Sequence, residues 1–174
     1  VSLKYENMRW YLWGAYSLGY VNKDYEDVDK VLHTYRTHYD RRHNMNLMAT
    51  YTAGSKHQWE ISARWNFGTG FPFTKVSAFY EKLPYDNIYF DPYTESGYLG
   101  IIYDELNTGQ LPTYHRLDID VKRKFYFTEN VILEADFSVT NVYDRQNIFY
   151  IDIVSTEFIY QLPLMPSVGL TLSF

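Results

Sequence analysis

The stretch RLDIDVKRKFYF, Arg116 to Phe127, decides the fold. Its odd positions carry Leu117, Ile119, Val121, Phe125 and Phe127, and its even positions carry Arg116, Asp118, Asp120, Lys122 and Lys124. A two-residue period puts alternate side chains on opposite faces of a β-strand. One face is greasy and the other charged, so such a strand must separate an apolar phase from a polar one. The same pattern recurs along the chain. Val131, Leu133, Ala135, Phe137 and Val139 oppose Glu134, Asp136, Ser138 and Thr140, while Trp59, Ile61, Ala63, Trp65 and Phe67 oppose Glu60, Ser62, Arg64 and Asn66. Met45, Leu47, Ala49 and Tyr51 oppose Asn44, Asn46 and Thr50, and Trp10, Leu12, Tyr16, Leu18 and Tyr20 oppose Ser17 and Gly19. In the last segment Val168, Leu170, Leu172 and Phe174 face away from Ser167, Gly169, Thr171 and Ser173. With the alternating opening VSLKYEN, these segments predict an all-β, antiparallel fold of about seven strands.

Segment length separates a membrane sheet from a soluble one. The alternation runs for about ten residues per segment, whereas soluble strands are commonly about 5 or 6 and a tilted strand crosses a bilayer in about 9–11. Connection lengths alternate as well. Asn7-Met8, Ala53 to His57 and Thr128 to Asn130 are tight, whereas Lys23 to Thr34, Gly70 to Tyr114 and Ile153 to Leu164 are long. Short turns at one end and long loops at the other are the habit of outer-membrane barrels. Trp10, Tyr51, Trp59, Phe125, Phe127 and Phe174 gather on the apolar face beside the short turns, and Tyr20, Phe67 and Tyr143 lie toward the long loops, as two interfacial belts would. The expected fold is therefore an antiparallel transmembrane β-barrel. Arg123 interrupts the apolar row. A lipid-facing Arg costs about 2–4 kcal/mol at mid-bilayer and about 0–1 near the interface. Arg123 lies close to the connection at Thr128 and can snorkel outward. Turning the sheet over would bring Asp118, Asp120, Lys122, Lys124, Glu134 and Asp136 into lipid, at far greater cost.

Composition narrows the functional classes. The 174 residues are 20% aromatic, with 19 Tyr, which favours β structure and interfaces. No apolar run approaches the roughly 18 residues of a spanning helix. Cysteine is absent, which removes disulfides and thiolate metal sites, and a net charge of −5 without a basic stripe argues against nucleic acid as a partner. The opening residues already alternate, as expected of a fragment or processed piece that begins inside a strand.

ARWNFGTGFPFT, LPTYHRLDIDVKRKFYF, LEADFSVTNVYDRQNIFY and the closing QLPLMPSVGLTLSF occur in this order. Together they resemble the C-terminal strands of TonB-dependent outer-membrane receptors, and the similarity runs from about Tyr35 to the end. In that family a 22-stranded barrel encloses an N-terminal plug, and an energising protein pulls on a plug-side box to drive uptake of a scarce ligand. The resemblance implies that residues 1–174 are the C-terminal part of the barrel domain, without the plug, in the cell outer membrane. It implies as partners outer-membrane lipid, a plug and the remaining barrel strands, the barrel assembly machinery and an energising periplasmic protein, with a lipoprotein lid as a further candidate. In such barrels a terminal aromatic on the last strand is read by the assembly machinery, and Leu170, Leu172 and Phe174 match that signal. Two other readings stay open: a small standalone outer-membrane barrel of about eight strands with a structural or adhesive role, and a soluble ligand-binding β-barrel whose core is the apolar face.

Three constellations remain. Arg64, Arg116, Asp118, Asp120, Lys122, Lys124, Glu134 and Asp136 share the polar face, either as a solvated wall whose signs neutralise one another or as contacts to a plug, Arg64 and Asp118 foremost. The long connection carries Tyr80, Tyr85, Tyr89, Tyr93, Tyr98 and Tyr103 among acidic residues. These form either an extracellular ligand surface or the packed sides of extended strands. In HTYRTHYDRRH an extended chain would hold His33 and His43 roughly 33 Å apart, so no tetrahedral metal site with His38 and Asp40 is expected. No nucleophile, base and orienter set or phosphate loop is recognisable, and neither an enzyme nor a cofactor is expected.

Overall fold

The computed structural model describes residues 1–83, 89, 91, 97–128 and 130–174. In chain order the strands are β1 (Ser2–Glu6), β2 (Trp10–Leu18), β3 (Asn22–Glu26), β4 (Leu32–Arg36), β5 (His43–Ala53), β6 (Trp59–Gly68), β7 (Pro72–Phe73) and β8 (Val76–Lys82). They continue as β9 (Tyr98–Tyr103), β10 (Gly109–Gln110), β11 (Tyr114–Tyr126), β12 (Ile132–Thr140), β13 (Ile148–Ile151), β14 (Phe158–Tyr160) and β15 (Met165–Ser173). The fold is all-β, and every strand pair is antiparallel. The chain divides into two compact units: Val1–Tyr20, Arg41–Gly70 and Pro112–Phe174 form one, and Val21–Asp40 with Phe71–Leu111 form the other.

The first unit is built on a seven-stranded sheet in the order β1-β2-β5-β6-β11-β12-β15. These are the long alternating segments, each paired with the next in sequence. The sheet is open and does not close into the expected barrel: among the described residues β1 and β15 each pair on one side and not with each other. Register keeps the two faces separate. Leu117, Ile119 and Val121 stand opposite Trp65, Ala63 and Ile61 of β6, while Asp118 stands opposite Arg64 and Lys122 opposite Glu60. On the other side of β11, Val121 meets Phe137 and Lys122 meets Asp136. A slip of one residue would move every side chain of a strand to the wrong face.

Local turn chemistry closes one end of this sheet. Asn7 Oδ1 accepts the backbone N–H groups of Arg9 (2.9 Å) and Trp10 (2.7 Å). Between β5 and β6, Gly54 adopts φ 92° and His57 φ 53°, and a Cβ on Gly54 would collide with the Gln58 side chain. Between β11 and β12, Thr128 Oγ1 accepts the Val131 N–H at 3.1 Å. At the opposite end the connections are long. The last of them carries the β13–β14 hairpin and is held by Asn141, which is fully buried at φ 56°. Its amide donates to the carbonyls of Arg145 (3.0 Å) and Leu162 (3.1 Å), and its Oδ1 accepts the Arg145 N–H (3.1 Å).

The second unit consists of the hairpins β3–β4 and β8–β9 and the short pair β7–β10. It is tied internally by Asp40, whose Oδ1 accepts the Val21 N–H (3.1 Å) and whose Oδ2 accepts Arg36 Nε (2.9 Å). Asn107 Nδ2 donates to the Arg36 carbonyl at 2.6 Å.

No Ala, Val, Leu, Ile, Met, Phe, Trp or Tyr side chain among the described residues is buried; apart from Pro72, the buried side chains are polar, namely Thr37, Asp40, Asn141 and Asn147. A folded chain with 46% hydrophobic residues would ordinarily hide a good share of them. Here Val168 is 74% exposed, Leu170 70% and Phe174 96%. Among the described residues no helix is long and apolar enough to cross a membrane. Replacing Asn141 with Ala strands two carbonyls and one N–H, so Asn141→Ala should lower unfolding free energy by about 2–4 kcal/mol in a denaturant titration.

Candidate functional site

The polar face of the sheet collects the charged residues that the sequence singles out. Arg64 comes from the middle of β6, Arg116, Asp118, Asp120, Lys122 and Lys124 from β11, and Glu134 and Asp136 from β12. Arg64, Asp118, Asp120, Lys122 and Asp136, with Glu60, Ser62, Thr50 and Met48, line a groove of about 360 Å³, and Arg116, Lys124 and Glu134 lie outside it. Four carboxylates, Glu60, Asp118, Asp120 and Asp136, line it against the two cations Arg64 and Lys122. The groove therefore carries an excess of negative charge.

These charges are used unequally. Asp118 Oδ2 accepts both Nη2 (2.9 Å) and Nε (3.1 Å) of Arg116, and its Oδ1 accepts the Asn141 N–H (3.0 Å). It links the wall to the node that closes the long-loop end. Lys124 and Glu134 approach to 3.7 Å across β11 and β12. Arg64 is exposed and forms no ion pair among the described residues, although Asp118 is its direct cross-strand neighbour. Lys122, Asp120 and Asp136 form no ion pair either. Cross-strand placement alone does not pair them, because the Asp118 carboxylate is already engaged by Arg116. Neutral hydroxyls bridge the strands instead, Thr50 with Ser62 at 3.0 Å and Ser138 with Ser167 at 2.8 Å.

The sequence reading does not single out the residues that hold this end. Asn147 Oδ1 accepts the His115 N–H (3.2 Å) and Arg145 Nε (3.2 Å), and its amide donates to the His115 carbonyl (2.9 Å). Asp144 Oδ1 accepts the Leu164 N–H (2.8 Å). The Asn, Asp and Arg of NVYDRQN thus cap backbone groups where β12 leaves the sheet. Asn141 and Asp144 at φ 56° and 49° were the readable hint, since Asn and Asp tolerate this conformation best.

The apolar face bears rings near both ends. Beside the short turns the Trp10 and Tyr51 centroids are 4.5 Å apart, and the Arg123 guanidinium lies 4.6 Å from the Trp59 ring and 4.5 Å from that of Phe125. Toward the long loops Tyr16 shares a hydrogen bond with His43 (2.8 Å), and Tyr143 shares one with His115 (2.7 Å). Leu170 and Leu172 face outward on β15, opposite Ala135 and Leu133, and Phe174 follows them.

The tyrosines of the long connection are partly on strands. Tyr80 of β8 packs its ring over Gly100 of β9, and Tyr98 pairs with Lys82 on the same side of the hairpin. By alternation Tyr103 points to the other side, and Tyr89 is exposed. Tyr85 and Tyr93 lie outside the described residues. A larger recess of about 600 Å³ forms elsewhere in the second unit, where Tyr25, His33, Tyr35 and Arg36 meet Leu106 and Asn107. Tyr25 stacks on His33 at 5.2 Å and meets Tyr35 edge-on at 5.8 Å. The histidine run is divided among separate partners: His33 donates to Asp27 (2.8 Å), His38 meets the Tyr39 ring, and Asp40 holds Arg36. Among the described residues no cluster of three or more His, Asp or Glu is arranged to hold a metal ion.

The chain matches no family model, no curated protein and no solved structure.

Two outcomes follow from this geometry. Asp118→Ala releases Arg116 and the Asn141 N–H and should cost about 1–3 kcal/mol in a denaturant titration, whereas Arg64→Ala should cost less than about 0.5. Asp27 gives a pH dependence. Hydrogen bonds from the His33 ring and from the Val31 and Asp29 backbone hold its carboxyl below the ordinary aspartate value. A depressed folded pKa means that its contribution to the β3–β4 hairpin is complete above about 3.9 and is lost as pH falls through the folded value. The protection factor of the Val31 amide, its exchange rate relative to the intrinsic rate at each pH, should hold from neutral pH down to about 3.9 and fall below it, and Asp27→Asn should flatten this response.

Proposed function

We propose that the seven-stranded sheet is a section of the wall of an outer-membrane β-barrel, of the kind that TonB-dependent receptors use for energised uptake of a scarce ligand. The observation that carries this reading is the exposed apolar face combined with the absence of buried aliphatic and aromatic side chains among the described residues. A soluble sandwich or lipocalin-like barrel would bury the row of Leu117, Ile119 and Val121 inside a core. In a bilayer the same row needs no second layer, because lipid covers it.

Three further features support it. β11 at 13 residues, β5 at 11 and β6 at 10 reach or exceed the length of a membrane-spanning strand, about 9–11. Rings gather at both ends of the apolar face, and Arg123 sits among those beside the short turns. The free edges of β1 and β15 favour a section of a larger wall over a small barrel closed by these seven strands, since an edge in lipid must find a partner. The open groove around Arg64 supports contact with a plug: it offers Arg64 and Lys122, which form no ion pair among the described residues, to a polar segment inside the barrel.

Spin labels test the orientation. In lipid bilayers, labels at 117, 119 and 121 should be relaxed by lipid-dissolved oxygen, and labels at 118, 120 and 122 by a water-soluble nickel chelate. Equal wetting of both rows would overturn the membrane reading. A photo-crosslinker at Arg64→Cys, in the protein as expressed in its own cells, should capture a plug segment. Capture of water alone would leave a barrel but remove the receptor.

A further inference from the structure

Arg123 is the one Lys, Arg, Asp or Glu on the apolar face of the seven strands. Its register sets its depth. It stands opposite Trp59, the first residue of β6, and opposite Ala135 on the other side. The next backbone bond on β11 runs from the Lys124 N–H to the carbonyl of Gln58 at 2.8 Å, within the turn that leads into β6. The guanidinium therefore lies where the apolar rows give way to turn, at the headgroup level of a bilayer that covers this face.

Trp59 and Phe125 flank the guanidinium at 4.6 and 4.5 Å. Aromatic rings stabilise the cation through its flat faces but accept none of the in-plane N–H groups. Those donors are free: among the described residues Arg123 makes no hydrogen bond and no ion pair. Among the described residues no carboxylate shares its face, because Glu60, Glu134 and Asp136 all occupy the opposite row. A planar fork of donors held between rings on an apolar surface suits a tetrahedral oxyanion approaching from the lipid side. In a bilayer the oxyanion at this depth is the lipid phosphodiester, and interfacial Trp and Phe mark the same level.

We propose that Arg123, with Trp59 and Phe125, forms a binding site for the phosphodiester of a membrane phospholipid on the short-turn side of the wall. The proposal rests on the membrane reading above and names the lipid group that this part of the face binds. Trp59 and Phe125 position the guanidinium, and Arg123 supplies the paired N–H donors.

Solid-state NMR on the full chain with labelled arginine, in phosphatidylglycerol vesicles, tests it directly. The guanidinium carbon of Arg123, identified as the resonance missing from an Arg123→Lys sample, should be dephased by lipid phosphorus. That dephasing should be absent in phosphate-free galactolipid vesicles bathed in inorganic phosphate. Dephasing in both preparations would mean an anion site without lipid specificity, and would overturn the assignment. No dephasing in phosphatidylglycerol, while a label at 117 still reports lipid oxygen, would overturn the site and leave the barrel reading intact. Failure of that label to sense lipid would remove both.

Discussion

Everything in the first unit depends on the register between β6 and β11. Ten consecutive residue pairs join the two strands, from Trp59 opposite Arg123 to Gly68 opposite Tyr114, and the seven from Glu60 with Lys122 to Asn66 with Arg116 keep apolar side chains facing apolar ones and charged side chains facing polar ones. Backbone groups are satisfied by the ladder, so each face is free to meet a different surrounding. The constraint is strict because displacement by one position would exchange Leu117 for Asp118 along the whole row. It also fixes the depth of individual residues. Arg123 reaches the boundary beside the short turn, and Asp118 reaches the loop node at Asn141, because the pairing leaves each no other level.

The charged wall is held together less by ion pairs than its composition suggests. Arg116 and Asp118 are two apart on the same strand and bond to each other, which leaves Arg64 without the partner that stands across from it. Pairs of this kind in a wet setting contribute little on average. Asp118 matters more, because its second oxygen caps a buried turn. The sheet is thus pinned at its ends, by the Asn7, Gly54 and Thr128 turns on one side and the Asn141 to Asn147 node on the other. Its middle keeps charges available for whatever occupies the polar side.

The seven long strands were legible in the sequence because neither a helix, with its period of about 3.6, nor an irregular loop sustains strict alternation over so many residues. Their edges were less so. β11 begins at Tyr114 rather than Arg116 because Tyr114 and His115 continue the ladder with Gly68 and Phe67, although neither sharpens the apolar and polar contrast. The hairpins of the second unit escaped the pattern for a related reason. β8 and β9 put Phe79 and Ile101 on one face and Tyr80 and Ile102 on the other, so no period separates them. β3 and β4 are polar almost throughout and are recognised by Asp27 folding back on Val31 and His33. The Asn141 node depends on three chain segments meeting, around Asp118, Asn141 and Leu162, which spacing alone does not reveal. The recess at Tyr25 and Tyr35 is likewise assembled from residues about 70 positions apart.

Each of the hairpins β3–β4 and β8–β9 pairs only within itself, and none of their rungs is shared with the seven-stranded sheet. Length and sequence can therefore drift in these arms without disturbing the alternating ladder.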